Sequence, residues 1–152
     1  ALASDAEGKN ILTYLDGVEF YAPKTKEIYV VPVEKDARVA KVAISGSYAT
    51  KVNDAGEIAS ETEYTKNRAV FNCKFYLPEN CTAIEWGLEV KYGANTKIMK
   101  AESLSNGNEY TIIVRVKQGS TITNVSCRSY VTYKQGNETK TIYSDVAVDQ
   151  AF

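Results

Sequence analysis

The chain contains no histidine, one methionine, three prolines and three cysteines among its 152 residues. Histidine is the side chain most often used as a general base and as a neutral metal ligand, so its absence argues against base-activated serine or cysteine catalysis. Eighteen basic and nineteen acidic residues give a net charge of -1 without a basic block. This balance excludes non-specific binding to nucleic acid as the main role. We therefore expect no enzyme activity, no metal site, no cofactor and no nucleic-acid partner.

Long apolar runs are also lacking. No segment approaches the roughly 18 consecutive apolar residues of a membrane-spanning helix, and no charged segment followed by an apolar one marks a signal peptide, so we expect no membrane insertion. The cysteines are too few for a disulfide scaffold and lack the C-x-x-C spacing of zinc and redox sites; they are Cys73, Cys81 and Cys127.

The residues that are abundant favour β-structure. Val, Ile, Thr, Tyr, Phe and Trp account for 54 of 152 residues, against six Leu. Short runs with apolar residues at every second position recur along the chain and are separated by turns rich in Gly, Asn and Pro. The pattern predicts an all-β, antiparallel β-sandwich with at least seven strands and little helix. It also predicts that Trp86 is buried, on one strand face with Ile84, Leu88 and Val90.

The first part of the chain differs from the rest. Residues 1–9 are small and polar and predict a flexible lead-in. The Asp16-Gly17 dipeptide between two β-rich runs predicts an N-terminal β-hairpin segment over residues 10–36. This segment is too small to close a core but apolar enough to need cover, so we expect it to pack on a sandwich formed by residues 37–152.

Three motifs in the second half resemble a known family. They are Ile84-Glu85-Trp86-Gly87-Leu88, Gly107-Asn108-Glu109-Tyr110, and Cys127-Arg128-Ser129-Tyr130-Val131-Thr132-Tyr133 followed by Thr141-Ile142-Tyr143-Ser144-Asp145-Val146. Over about residues 65–150 the chain resembles the fibronectin-type-III-like, immunoglobulin-like modules of bacterial secreted and cell-surface multi-modular proteins.

The resemblance implies a non-catalytic accessory module of a larger extracellular or cell-surface protein, acting as a spacer or as a protein-interaction module. Its partners would be neighbouring domains of the same polypeptide or a surface protein.

The same resemblance bears on the cysteines. Cys73 and Cys127 share the inward parity of their strands, and Trp86 lies between them, which is the Cys, Trp, Cys order of immunoglobulin domains. A disulfide between them and two packed free thiols are both open, and the small size of a buried thiol favours the second. Cys81 lies in a turn and is expected to be the most exposed thiol.

Aromatic residues support an alternative function. A carbohydrate-binding module of a polysaccharide-degrading system would stack sugar rings on exposed tyrosines, and the candidates are Tyr14, Tyr21 and Tyr130. The simpler interpretation is that these rings fill the core or its margins. Exposed, coplanar rings would favour carbohydrate binding, whereas buried tyrosines and chain ends at opposite ends of the sandwich would favour a spacer.

A third candidate function is that of a small hydrolase that uses a carboxylate pair such as Glu85 and Glu89. This candidate is weaker, because such a pair is more simply explained as part of the solvated face of a strand.

Overall fold

The structure is a computed structural model that describes residues 2–3, 6–7, 9, 11–13, 27, 29–30 and 39–152. The chain forms two compact units, Ala1–Arg38 and Val39–Phe152. The described residues form strands, turns and irregular segments without a helix, so none of them belongs to a membrane-spanning helix. The prediction of an all-β protein is confirmed.

The described residues of the first unit include three short strands: β1 (Leu2–Ala3), β2 (Ile11–Thr13) and β3 (Tyr29–Val30). β1 lies between β2 and β3, and both pairings are antiparallel. β1 falls within the segment predicted to be a flexible lead-in, yet it is paired on both sides and Ala3 is fully buried. The predicted hairpin turn at Asp16-Gly17 lies outside the described residues, and the packing of residues 10–36 on the sandwich stays a prediction.

The second unit contains the remaining eight strands. They are β4 (Lys41–Val52), β5 (Lys66–Tyr76), β6 (Cys81–Tyr92), β7 (Asn95–Lys100), β8 (Glu109–Lys117), β9 (Asn124–Gln135), β10 (Glu138–Tyr143) and β11 (Val148–Ala151). One antiparallel sheet has the order β4-β5-β8, and the other has the order β10-β9-β6-β7. β10 pairs with the later residues of β9, and β11 pairs with its first residues. β11 therefore continues the sheet edge that β10 forms.

Both sheets contribute to one apolar core, which makes the unit β-sandwich-like. In β8 every second residue is buried, as expected for a strand with one wet face. The buried cluster comprises Val42, Ala69, Phe71, Cys73, Phe75, Tyr110, Ile112 and Val114 from the three-stranded sheet, and Leu88, Val90, Val125, Cys127, Val131 and Tyr133 from the other.

A β-bulge changes the predicted face of β6. The pairing of β6 with β9 shifts between Ala83 and Glu85, and such a shift moves the residues before it to the other face. Leu88 and Val90 are buried as predicted, but Ile84 is 48% exposed and the prediction for it is wrong. Trp86, adjacent to the bulge, is only partly buried against the core, so its predicted burial is confirmed in part.

The second unit begins and ends at opposite ends of the sandwich. Lys41, at the start of β4, pairs with Tyr76 at the end of β5, and a short turn leads from there to the start of β6 at Cys81. The last residue of β11, Ala151, pairs with the first residue of β9. The first residue of β9, Asn124, is joined by a short loop to the end of β8. The end of β8 pairs with the start of β5, which in turn pairs with the end of β4. At about 3.3 Å per residue, the 12 residues of β9 span roughly 40 Å between the two ends.

Candidate functional site

Tyr130, the one candidate sugar contact that the structure describes, lies on the outer face of the four-stranded sheet. Strand register places Tyr143, Tyr130, Gly87 and Lys100 side by side on β10, β9, β6 and β7. Tyr130 faces away from the core, yet it is only 3% exposed. Its ring lies against Gly87, where a Cβ atom would come within 2.8 Å of Tyr130 Cε1. The absence of a side chain at Gly87 therefore creates the space that the tyrosine fills.

A carboxylate fixes the hydroxyl end of this ring. Tyr130 Oη donates a hydrogen bond to Glu85 Oε1 at 2.9 Å, and Lys100 Nζ donates to Glu85 Oε2. The hydrogen bond from Lys100 and then that from Tyr130 hold the pKa of Glu85 below its ordinary value. Burial, reinforced by Glu85, raises the pKa of Tyr130. At neutral pH the tyrosine is a neutral donor and the glutamate an ionised acceptor.

Tyr143 covers the other side of Tyr130. The two ring centroids are 5.8 Å apart and the ring planes are tilted by 39°. The Arg128 guanidinium lies 5.2 Å from the Tyr143 centroid, and its Nε donates to the carbonyl oxygen of Ser144 at 3.0 Å. The cation–π contact of Arg128 is thus with Tyr143 on the neighbouring strand β10. Tyr143 was missed as a surface aromatic because only the register of β9 with β10 brings it beside Tyr130.

The described ring geometry does not match the exposed, coplanar rings that the carbohydrate-binding alternative expects. The ring of Tyr130 is covered, and its neighbour Tyr143 is tilted relative to it, whereas stacking on a sugar needs an open ring face. Tyr14 and Tyr21 lie outside the described residues, so their role in carbohydrate binding stays a prediction.

The cysteines are free thiols. Cys73 on β5 and Cys127 on β9 are both buried in the core, one from each sheet, and Cys81 at the start of β6 is partly exposed. Burial raises the pKa of Cys73 and of Cys127 to about 12. In the structure both side chains pack in the core as free thiols. Across the part of the chain that the structure describes, no group of three or more cysteine and acidic side chains could hold a metal ion.

A second surface lies where the two sheets open between their edge strands β7 and β8. A cavity of about 220 Å³ opens here, lined by Val90, Tyr92, Lys97, Met99, Val114, Arg115, Val116, Ile122 and Val125. Seven of these nine side chains are apolar or aromatic, and the other two, Lys97 and Arg115, are basic. The sequence pattern predicted that Val90 lies in the core. No feature of the sequence indicates that the edges of the two sheets leave part of this core open.

The outer face of the three-stranded sheet carries like charges opposite one another. Lys66 and Arg68 on β5 face Lys117 and Arg115 on β8 in direct register. The β5 cations have partners: Lys66 forms an ion pair with Asp54 at 3.0 Å, and Arg68 donates hydrogen bonds to neighbouring oxygens. The β8 cations, Arg115 and Lys117, are both exposed, and within residues 39–152 neither forms an ion pair or a side-chain hydrogen bond. Like charges directly opposite in a sheet destabilise it, so this pattern needs an explanation.

Comparison with known proteins gives no relative: no family model, no curated protein and no solved structure matches the chain. Functional inference therefore depends on the geometry described above.

Proposed function

We propose that residues 39–152 form an immunoglobulin-like, fibronectin-type-III-like module that acts as a non-catalytic spacer in an extracellular or cell-surface protein. The observation that carries this proposal is the placement of the two ends of this unit, near residues 39 and 152, at opposite ends of the sandwich, roughly 40 Å apart along β9. A module of this kind separates and orients whatever is attached to its two ends.

The sheet order supports an immunoglobulin-like fold. The first, second and fifth strands of the unit form one sheet, and the third, fourth, sixth and seventh form the other. Immunoglobulin constant-type domains have the same order except that the fourth strand joins the first sheet. The arrangement thus differs from that reference in the sheet to which β7 belongs and in the additional short strand β11, which pairs with β9.

The terminal strands suit a load-bearing role. β4 is paired with β5 over its whole length, and β10 and β11 together are paired with β9 over nearly all of its length. Force applied to the two ends acts along these strands, so their hydrogen bonds are loaded in parallel and must break together. Force applied to two points at the same end would instead break the pairs one after another.

Single-molecule pulling on the full chain tests the proposal. Handles at Val39→Cys and at the C-terminus, in a Cys81→Ser background, load the opposite ends, whereas handles at Val39→Cys and Asn137→Cys load one end. We expect a single unfolding event for the first pair, with a contour gain of roughly 350 Å, given about 3.4 Å per residue less the folded length. The unfolding force should be clearly higher than for the same-end pair, and equal forces in the two geometries would contradict a load-bearing spacer.

A glycan array probed with the full chain tests the carbohydrate-binding alternative. The spacer proposal expects no bound glycan. Specific binding that disappears in a folded Tyr143→Ala variant would contradict the proposal and would favour a carbohydrate-binding module.

A further inference from the structure

We propose that the free edge of β8 binds an extended peptide segment of another protein, with acidic residues alternating with apolar ones, as an added strand of the three-stranded sheet. The inference does not depend on the mechanical role proposed above. It combines three features of β8: backbone groups and outward cations that have no partner among the described residues, and an apolar cavity on its inner side.

Among the residues that the structure describes, the backbone of β8 has no strand partner along its outer edge. At the two ends of the strand, Phe75 N donates to Asn108 O at 3.0 Å and Gln118 N donates to Thr65 O at 2.8 Å. Because hydrogen bonding alternates along an antiparallel pair, the even-numbered residues between them face β5 and the odd-numbered ones face away. The amides and carbonyls of residues 111, 113 and 115 therefore point to the side where, in the described part of the chain, no strand is paired. They can hydrogen-bond to an added strand.

The cavity receives one face of such a strand. Side chains of the added strand that point inward would continue the inner layer formed by Ile112, Val114 and Val116, all buried. They would enter the cavity of about 220 Å³ whose floor includes Val90 and Val125. Filling this apolar floor requires apolar side chains, and in an extended strand these occur at every second position.

The exposed cations of β8 determine which side chains suit the outward face of the added strand. Outward side chains of the added strand would lie beside Arg115 and Lys117, whose cross-strand neighbours on β5 are also basic. Carboxylates at these positions would pair with Arg115 and Lys117 from the side opposite β5 and so offset the repulsion between the like charges. A second copy of β8 would bring the same cations together, so the charges also disfavour self-association through this edge. The complementary partner is thus an acidic strand.

Titration of the full chain with a blocked peptide of alternating valine and glutamate tests this proposal, with a valine–lysine peptide as control. The peptide length matches the nine residues of β8. We expect saturable binding of the acidic peptide alone. On binding, hydrogen exchange of the Thr111, Ile113 and Arg115 amides should slow by about tenfold or more, whereas the Ile112 and Val114 amides, already bonded to β5, should change little.

Variants separate the charge from the backbone contribution. Arg115→Glu with Lys117→Glu places opposite charges across from Arg68 and Lys66, so the fold should be retained, and affinity for the acidic peptide should fall by about tenfold or more. The control, Lys91→Glu with Lys134→Glu on the other sheet, has the same net charge and should bind normally. Ile113→Pro removes an amide that faces away from β5, so it should block strand addition and leave the ladder to β5 intact.

Three outcomes would overturn the proposal: no saturable binding, equal loss in the two charge-reversed variants, or normal binding by Ile113→Pro. If heparin binds as well as the acidic peptide and remains bound to Ile113→Pro, the surface is a general polyanion site and not a strand-addition site.

Discussion

Replacing Gly87 by alanine should strongly destabilise the sandwich. A glycine-to-alanine change inside a strand ordinarily stabilises a protein by up to about 1 kcal/mol, because it reduces the entropy of the unfolded chain. At Gly87, however, the new Cβ would lie 2.2 Å from the Met99 carbonyl oxygen and 2.8 and 2.9 Å from two atoms of Tyr130. These distances are far below a van der Waals contact, so the neighbours have to move.

Neither neighbour can move freely. The Met99 oxygen belongs to the backbone of β7, which is paired with β6 over its whole length, so its retreat would break that pairing. The Tyr130 ring is held between Tyr143 and its hydrogen bond to Glu85. Overpacking costs about 1–3 kcal/mol, and a lost aromatic contact adds about 0.5–1.5 kcal/mol. We expect a net loss of about 3 kcal/mol, which lowers the melting temperature of a chain of this length by roughly 10 °C.

Thermal and urea unfolding of the full chain, followed by the fluorescence of its single tryptophan, measures this loss. Gly46→Ala is the matched control: Gly46 also lies within a strand, its φ is not in the left-handed region, and a Cβ added to it would have no atom within 4 Å. The control should be as stable as the parent or slightly more stable. If Gly87→Ala melts at the parent temperature or together with Gly46→Ala, Tyr130 does not pack against Gly87 and the account of this surface is wrong.

Three further predictions concern ionisation, an unpaired donor and the thiols. The pKa of Glu85 in the folded protein lies below its ordinary value of 4.5. The stability that its ionised form contributes is therefore complete above pH 4.5 and is lost as the pH falls through the folded pKa. Urea unfolding midpoints between about pH 3 and 6 should depend less on pH in Glu85→Gln than in the parent. Trp86 Nε1 is buried without a hydrogen-bond partner among the described residues, so Trp86→Phe should stay within about 1 kcal/mol of the parent in urea unfolding, whereas Trp86→Ala should lose about 3 kcal/mol. In the native chain, Ellman's reagent at about pH 8 should label Cys81. In urea without reductant it should label Cys73 and Cys127 as well, and a single reactive thiol in urea would instead show that these two form a disulfide.

Much of the strand content follows from the sequence, because a strand with one wet face alternates apolar and polar residues. β5 is an example: Phe71, Cys73 and Phe75 are buried while Asn72 and Lys74 are exposed, as the alternation predicts. The register shift in β4 lies beside Gly46, and an isolated glycine in a strand pattern is a common mark of a bulge. The bulge beside Ile84 contains no glycine, so the apolar pattern continued through it and the exposed face of Ile84 was mispredicted.

The candidate surfaces could not be predicted because they depend on register between distant strands. Tyr130 is covered because Gly87, 43 positions earlier, lies opposite it, and no local pattern encodes that pairing. β1 was missed for a related reason: its two residues are too few for a periodic signal, and its partner β3 is more than twenty residues away.

The two outer faces of the sandwich differ in how their charged side chains are paired, and this difference supports the proposed strand-addition site on β8. On the four-stranded sheet, Glu85 accepts from both Lys100 and Tyr130, and Arg128 is held by Tyr143 and a backbone carbonyl, so these polar groups stabilise one another within the fold. On the three-stranded sheet, Arg115 and Lys117 face other cations across the strand pair, an arrangement that costs stability and adds nothing to the core. Such a cost is most simply explained by a benefit outside the isolated fold. Both residues lie on the strand whose outer backbone groups have no partner in the described part of the chain and which borders an apolar cavity. The proposed acidic strand added to β8 accounts for all three features at once.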